Sequence, residues 1–327
     1  MGKVNLGIVG VTGVVGQKFL EVLEEYGLLF DKIKFFASKK SVGKKIKFQN
    51  KLIEVEELKE GCFLDLDYAL FSAGSKIASY WGVIAEKEGC TVIDNSSAFR
   101  NIDDIPLIVS EINIDDYKLS NRRIIANPNC STIQSVVVLN EINKVHKIDE
   151  IIYSTYQAVS GAGKKGIDDL VNNTSDFFPL NINKTCIPII GDVEDNNYTN
   201  EEIKMIRETK KILHNNNLKV TSTCVRVPII NCHAVAIYIR CLENINLDLV
   251  KEKLAICPSI IIVDDSDLNL FPNSLLASNN DYIYVGRIRM DLNNPKGMWI
   301  YCVSDNLRKG AASNAVQILK HLIELDQ

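Results

Sequence analysis

The sequence predicts an α/β chain of two domains, a doubly wound parallel sheet followed by an α+β domain built on a mixed sheet. Early in the chain, short apolar strands alternate with helical stretches, the order that produces parallel βαβ units. Beyond residue 129 the strands lengthen and alternate apolar with polar residues, as in a sheet with one solvated face. The length of 327 residues suits about two domains of ~150 residues each. The first domain is expected over residues 1–128 with a terminal helix at 306–327, and the second over 129–305.

Taken in order, "KVNLGIV" reads as a buried strand, "GVTGVVG" as a turn and "QKFLEVLEEYGLLF" as a helix. "IKFFAS" is a second strand. "LDYALFSAG" is another, followed by a helix through "KIASYWGVIAEKEG" and a strand at "CTVIDNS". After "NPNCST" a helix runs to about Asn143. The later strands are "EIIYSTYQAV", "LKVTSTCVRVPI", "HAVAIYIRCL", "IYVGRIRMD" and "MWIYCVSD". Helices are expected in "KKGIDDLVNNTSDF", "NEEIKMIRETKKIL" and "NLDLVKEKLAI", and an amphipathic one in "GAASNAVQILKHLIELD" that returns to the first domain. With no Pro-rich linker, the domain boundary reads as a direct strand-to-helix passage near residue 129.

Composition narrows the function classes. The chain is 46% hydrophobic and carries a net charge of −4 with both signs mixed, so no basic stripe points to nucleic acid. No apolar run reaches the ~18 residues of a membrane helix, and the glycine-broken N-terminus lacks the regions of a signal peptide. The nine cysteines include no CxxC pair, so neither zinc nor any other metal is expected. Reduced thiols, most of them small core residues, fit a cytoplasmic chain.

Gly10, Gly13 and Gly16 follow a strand directly and open a helix. This is the context of a Rossmann-like dinucleotide loop, in which backbone N–H groups and the helix dipole face a pyrophosphate. A tight turn without ligand is the plainer alternative. The next strand ends in "ASKKSVGKK", which has no acid for a ribose hydroxyl. Ser38, Lys39, Lys40 and Ser41 offer donors and positive charge instead, which favours NADP over NAD. A solvated lysine loop is the competing reading.

Cys130 lies between two apolar runs, after an extended Asn-Pro and before a helical stretch. It is either a small core residue or a nucleophile. An N-cap at Asn129 puts it in the first helical turn, where the dipole favours thiolate. There are four histidines; His146 falls in a polar linker, His214 at a helix end and His321 in the terminal helix. His233 opens a strand seven residues after Arg226, and a cation and an imidazole flanking a short turn can face one pocket. Position alone scarcely separates it from a structural histidine.

Together, "GVTGVVG", "FSAGS", "VIDNSSAFR", "ANPNCST", "YQAVSGAGKKG", "TNEEIKMIRETKKIL", "RVPI" with His233, "VGRIRMD" and "DNLRKGAASNAVQ" resemble the aspartate-semialdehyde dehydrogenases, in order and over nearly the whole chain. The resemblance implies NADPH-dependent reductive dephosphorylation of L-aspartyl-4-phosphate to L-aspartate 4-semialdehyde and phosphate, in lysine, threonine and methionine synthesis. Cys130 is then similar to the nucleophile that carries an acyl thioester, and His233 to the acid/base. Gln157 resembles the glutamine that orients substrate, and Arg226 the arginine that grips its carboxylate in a planar fork. Arg100 and Lys204, with Asn95 nearby, match the phosphate-binding cations. Glu201 matches the acid that meets the substrate amino group. The cofactor is expected against Gly10, Thr12, Gly13, Val14, Val15 and Gly16, with Ser38, Lys40 and Ser41 at the 2′-phosphate. Ser160, Gly161, Gly163 and Asn306 are expected toward the nicotinamide. Read singly, Arg100 and Lys204 are surface charges, Glu201 a first-turn acid and Gln157 a polar strand residue.

There are departures. Cys232-His233-Ala234 stands where the family commonly has Gly-His-Ser, and Ser110 where a proline is common. The nearest other readings are N-acetyl-glutamyl-phosphate reductase, the more distant glyceraldehyde-phosphate dehydrogenase, and an NADP-binding protein that has lost activity. The cysteine contexts argue against the first two. The intact set Cys130, Gln157, Arg226 and His233 argues against the last. The resemblance also implies a homodimer formed by packing the long strands sheet to sheet, with a dimer of dimers left open, and inorganic phosphate as co-substrate. No nucleic acid or membrane partner is expected.

Overall fold

The computed structural model describes residues 4–325, and the chain divides into two compact units. The first comprises the residues up to Pro128 and those from Ala311 on; the second is Asn129–Gly310.

The first unit is a seven-stranded sheet: β1 (Asn5–Val9), β2 (Lys32–Phe36), β3 (Lys45–Phe48), β4 (Lys51–Glu56), β5 (Tyr68–Phe71), β6 (Thr91–Asp94) and β7 (Ile124–Ala126). Their order is β3-β4-β2-β1-β5-β6-β7, parallel except for the β3–β4 hairpin. Helices α1 (Val14–Glu25), α2 (Ser75–Lys87) and the short α3 (Ser110–Asn113) connect them. Strand β5 is buried throughout, as a parallel strand covered on both faces must be. Leu6, Ile8, Phe19, Leu23, Phe35, Leu70 and Ile93 form one core, which Ala315, Val316 and Leu319 of the C-terminal helix Ser313–Leu325 complete. The β3–β4 hairpin is not among the elements expected from the sequence. Its "KKIKFQNKLIEVE" is lysine-rich because it forms the exposed edge of the sheet.

The second unit holds a six-stranded mixed sheet: β8 (Ile148–Gln157), β9 (Lys219–Arg226), β10 (His233–Cys241), β11 (Ile260–Ile262), β12 (Ile283–Met290) and β13 (Gly297–Ser304), in the order β11-β12-β13-β10-β8-β9. Its helices are α4 (Cys130–Val145), α5 (Gly163–Asn172), α6 (Asn200–Ile212), α7 (Leu247–Ala255) and the short α8 (Ser274–Ala277). Helix α4 packs on β8, β10 and β13, and α6 along β9. The run Ser131–Leu139 is buried on every side, which explains why it carries small and apolar residues all round. Residues Ile151, Tyr153, Val235, Ile237, Ile300 and Cys302 point into this core. The alternate side chains face the other way and stay half-buried or exposed, apart from Val303, which packs against Cys232 and Ala277. The long strands are therefore mixed in direction with one open face, and the fold class read from the sequence is the fold observed.

The chain leaves the second unit inside a π-helical turn, Arg308–Ala312. Residues 306–310 stay with the second unit because their polar groups bond there. Asn306 Oδ1 accepts the Cys232 N–H at 2.9 Å, and Arg308 Nε donates to Asp281 at 2.9 Å. Helix α9 (Ser313–Leu325) follows. Among the described residues, no helix is long and apolar enough to cross a membrane.

Candidate active site

Strand register gathers three polar side chains at one end of the second sheet. Strands β8 and β9 run parallel with Gln157 opposite Arg226. Strand β10 runs antiparallel to β8 with Ala234 opposite Tyr156, so His233 begins its strand where β8 ends. Cys130 is the first residue of α4. Asn129 caps that helix, its Oδ1 accepting from Ser131 N–H at 3.0 Å and Thr132 N–H at 3.3 Å. The capped helix start read from the sequence is present. Its positive end lies at the thiol, which is half-buried.

His233 is fully buried. Its Nδ1 lies 3.0 Å from the Ala158 backbone N–H. A backbone amide can only donate, so Nδ1 accepts, and the neutral ring carries its proton on Nε2. That Nε2 is buried without a protein partner. Burial first, then the Arg226 charge, pushes the imidazole down to about 3, so it is neutral at physiological pH. Arg226 donates from Nη1 to Ala158 O at 2.6 Å, while its Nε has no hydrogen-bond partner. Burial lowers its pKa, opposed by the negative charges of Glu201 and Cys130. Gly161 leaves room beside these groups: a Cβ there meets Arg226 Nη1 at 3.0 Å and His233 Nε2 at 3.1 Å.

Glu201 joins the remaining members. Its Oε1 accepts from Asn129 Nδ2 at 2.7 Å and from Gln157 Nε2 at 3.0 Å, and its Oε2 pairs with Lys204 Nζ at 3.1 Å. Burial opposes ionisation, but the Lys204 charge and these hydrogen bonds outweigh it and hold the carboxyl down at about 2. Gln157 Oε1 accepts from Thr155 Oγ1 at 3.0 Å, so the amide orientation is fixed. Ser160 and Asn306 bond one another across 3.0 Å, and Gly163 opens α5 with φ 71°.

Asn95, Arg100 and the glycine loop belong to the first unit. Asp94 accepts the Ser96 N–H and Oγ–H, at 3.1 and 2.6 Å, shaping the "DNSSAFR" loop. Arg100, 7% exposed, donates from Nη2 to Asn95 O at 2.9 Å. The glycine loop leaves β1 where the strand order reverses, the topological switch point of a doubly wound sheet. Gly10 has φ 87°, and a Cβ on Gly16 falls 2.2 Å from Gly10 O, so the turn closes only with glycine at both places. Thr12, Gly13, Val14 and Val15 complete the turn and open α1. Ser38 precedes the turn Lys39–Ser41, in which Lys40 is exposed and Ser41 buried. The sequence shows no acid at this strand end. The sheet nevertheless supplies one beside it, because β4 pairs with β2 and Glu57 comes 3.4 Å from Lys39.

Two contributors escape a reading of the sequence. Gly310 backs the thiol: a Cβ on it meets Cys130 Cβ at 2.8 Å. Glu208, 1% exposed, accepts the Asn129 N–H at 2.5 Å. Glu201, Lys204 and Glu208 lie three and four residues apart, so the α6 repeat could have suggested a shared face; nothing local marks Gly310. Among the histidines, His146 corrects its expected place in a polar linker. It is buried, with Nδ1 near Glu243 and Nε2 accepting from Asn246 N–H at 3.0 Å. Six of the other eight cysteines are buried packing residues, whereas Cys257 is half-buried and Cys186 exposed. Among the described residues, no cluster of His, Cys, Asp and Glu forms a metal site.

Two family models match the chain: "Semialdehyde dehydrogenase, NAD binding domain" over residues 5–120 and "Semialdehyde dehydrogenase, dimerisation domain" over 139–309. The chain is 42% identical to an aspartate-semialdehyde dehydrogenase of Campylobacter jejuni, covering 99% of this chain and 98% of that one. It is 39% identical to that of Bacillus subtilis, covering 100% and 99%. Among solved structures, aspartate semialdehyde dehydrogenase II of Vibrio cholerae, complexed with ASA, superposes with a TM-score of 0.94 at 40% identity over 99% of both chains. The Candida albicans enzyme with NADP superposes with a TM-score of 0.76 at 25% identity, over 97% of this chain and 98% of that one.

Proposed function

Because the chain belongs to the aspartate-semialdehyde dehydrogenase family, we propose that it converts L-aspartyl-4-phosphate to L-aspartate 4-semialdehyde and phosphate through a thioester on Cys130. The observation that carries the residue assignments is the sheet end where Gln157, Arg226 and His233 meet, with Asn129, the cap beside Cys130, joined to Gln157 through Glu201.

Cys130, at the positive end of α4, attacks the acyl carbon as thiolate. The C–S bond forms, the C–O bond to phosphate breaks, and phosphate leaves with that electron pair. When bound, NADPH supplies the hydride that converts the thioester carbonyl to an oxyanion. The oxyanion re-forms the carbonyl and expels the Cys130 thiolate, releasing the aldehyde. This sequence balances without a proton passing through His233. Its Nε2–H serves as a hydrogen-bond donor to the oxyanion, because acceptance at Nδ1 requires breaking the bond from Ala158. For the acid/base role that the resemblance implies for His233, Nε2 is the ring position left to meet the substrate. Arg226 holds the substrate carboxylate, Gln157 orients the acyl group, and Glu201 meets the amino group. Lys204 and Arg100, with Asn95, bind phosphate.

The tight turn at Gly10 and Gly16 fits a pyrophosphate against backbone, with Thr12, Gly13, Val14 and Val15 around it. Ser38, Lys40 and Ser41 take the 2′-phosphate; Ser160, Gly161, Gly163 and Asn306 face the nicotinamide. Phosphate is the co-substrate in the reverse direction, and the scheme uses no metal. We place the chain in the cytoplasm as a homodimer, without nucleic acid or membrane as partner.

The test is phosphate-dependent NADP reduction with aspartate semialdehyde. Turnover is expected, and Cys130→Ser abolishes it while NADP still binds. NADP binding without turnover in the parent chain, or full activity in Cys130→Ser, overturns the reading.

A further inference from the structure

Cys232 is 2% exposed and has φ 76°, a left-handed conformation that side-chain-bearing residues rarely adopt. It directly precedes His233. The strained residue persists because its surroundings hold it. Its N–H donates to Asn306 Oδ1 at 2.9 Å, and Asn306 Nδ2 donates to Ser160 Oγ at 3.0 Å. Ser160 Oγ donates in turn to Asn231 Oδ1 at 3.0 Å, and Asn231 Nδ2 donates to Asp305 Oδ2 at 2.7 Å. Asp305 is fixed by the N–H groups of Leu307 at 2.9 Å, Arg308 at 3.2 Å and Asn279 at 2.8 Å. Ser160 N–H also donates to Ile230 O, at 3.1 Å. The residues on both sides of Cys232 are therefore fastened to the 158–161 turn, whose Ala158 N–H holds the His233 ring. Among the described residues, Asn306 is the one side chain that bonds the strained amide itself.

We propose that Asn306 is a positioning residue for His233, acting through the left-handed Cys232 amide. This goes beyond a cofactor contact for Asn306, and rests on the reading of His233 as the oxyanion donor. Without the acceptor at Oδ1, Cys232 relaxes toward negative φ and carries the start of β10 with it. The Nε2–H then moves off the reacting carbonyl, where displacement by about 1 Å costs roughly a hundredfold in rate.

The experiment compares the parent with Asn306→Ala, Asn306→Asp, and Asn306→Ala combined with Cys232→Gly, by kcat, KM and the Kd for NADP from titration. Asn306→Ala is expected to lower kcat by about tenfold to a hundredfold; because Asn306 is also placed at the nicotinamide, rescue by the double variant rather than the NADP Kd separates the two roles. Asn306→Asp keeps an acceptor for the Cys232 N–H and should retain most of kcat. In the double variant, glycine adopts the left-handed φ without cost and should restore much of the lost kcat. Two results overturn the assignment: an unchanged kcat in Asn306→Ala, or a double variant no better than the single. If Asn306→Ala does not fold, the Asp variant decides, since loss of kcat there with intact NADP binding also overturns it. A parent chain without turnover overturns the proposed function and this assignment together.

Discussion

Nδ1 of His233 accepts a backbone N–H, its neighbour Arg226 is a cation, and the ring is fully buried. All three disfavour the imidazolium. With its pKa held at about 3, below the ordinary 6.5, His233 stabilises the fold fully above pH 6.5. That contribution is lost as pH falls toward 3, where the unfolded chain binds the extra proton. Glu201, held at about 2 against an ordinary 4.5, contributes fully above pH 4.5 and loses its contribution between there and pH 2. Imidazole ¹⁵N spectra, assigned with His233→Asn, should show Nε2 protonated and no titration of this ring from pH 8 to pH 5. A midpoint near 6.5, or a proton on Nδ1, sinks the donor role. Gly310 makes a steric prediction at the same scale. A Cβ 2.8 Å from Cys130 Cβ must displace the nucleophile or its helix start, so Gly310→Ala should fold yet lose about tenfold or more in kcat. Parent-like kcat shows that the thiol is not located by this contact.

Helix α6 carries Glu201 and Lys204 in its first turns, so its cap is both a structural and a functional device. Thr199 Oγ1 accepts the Glu202 N–H at 3.3 Å, and Glu202 returns the bond, its Oε2 accepting the Thr199 N–H at 2.8 Å. Glu202 Oε1 also accepts the Cys224 N–H at 3.1 Å, which ties the helix to β9. Thr199→Ala should cost about 1 kcal/mol of stability and raise KM for semialdehyde, with denaturant titration and steady-state kinetics as the checks. A stability loss with KM unchanged confines the cap to a structural role. Elements with strong periodicity or strand-turn-helix context, such as β1 to α1 and β7 to α4, are legible in the sequence because local chemistry specifies them. The β3–β4 hairpin is not, because an edge strand defended by lysines looks like a solvated loop. In the site, Cys130 and Asn129 are legible from helix-start chemistry and Arg226 and His233 are paired by their places around one turn, while Gln157, Glu201 and Lys204 are identified only through resemblance. Glu208, Gly310 and the Asn306–Cys232 bond escape altogether. They arise from strand register and from contacts between segments 74 to 180 residues apart in the chain.

The open face of the six-stranded sheet makes the last prediction, at the scale of the assembly. Ser154, Ala234 and Ala236 form its small centre, half-buried, and Ala236 lies between Ser154 and Tyr301 in the ladders. Aromatic pairs flank this centre, Tyr156 with Tyr301 at 6.4 Å and Tyr238 with Trp299 at 5.2 Å. Tyr156 is 42% exposed. Flat small residues ringed by aromatics suit face-to-face packing at about 10 Å between sheets, and they continue the amphipathic pattern that makes these strands alternate. In a two-fold interface each substitution acts twice, against its own copy or its neighbour's. Ala236→Arg therefore brings two guanidinium groups into the centre without an acid to meet them. Its expected result is a shift from dimer to monomer in sedimentation velocity, with the second unit still folded. A variant that sediments as the parent does places the interface elsewhere and removes the sheet-to-sheet assignment.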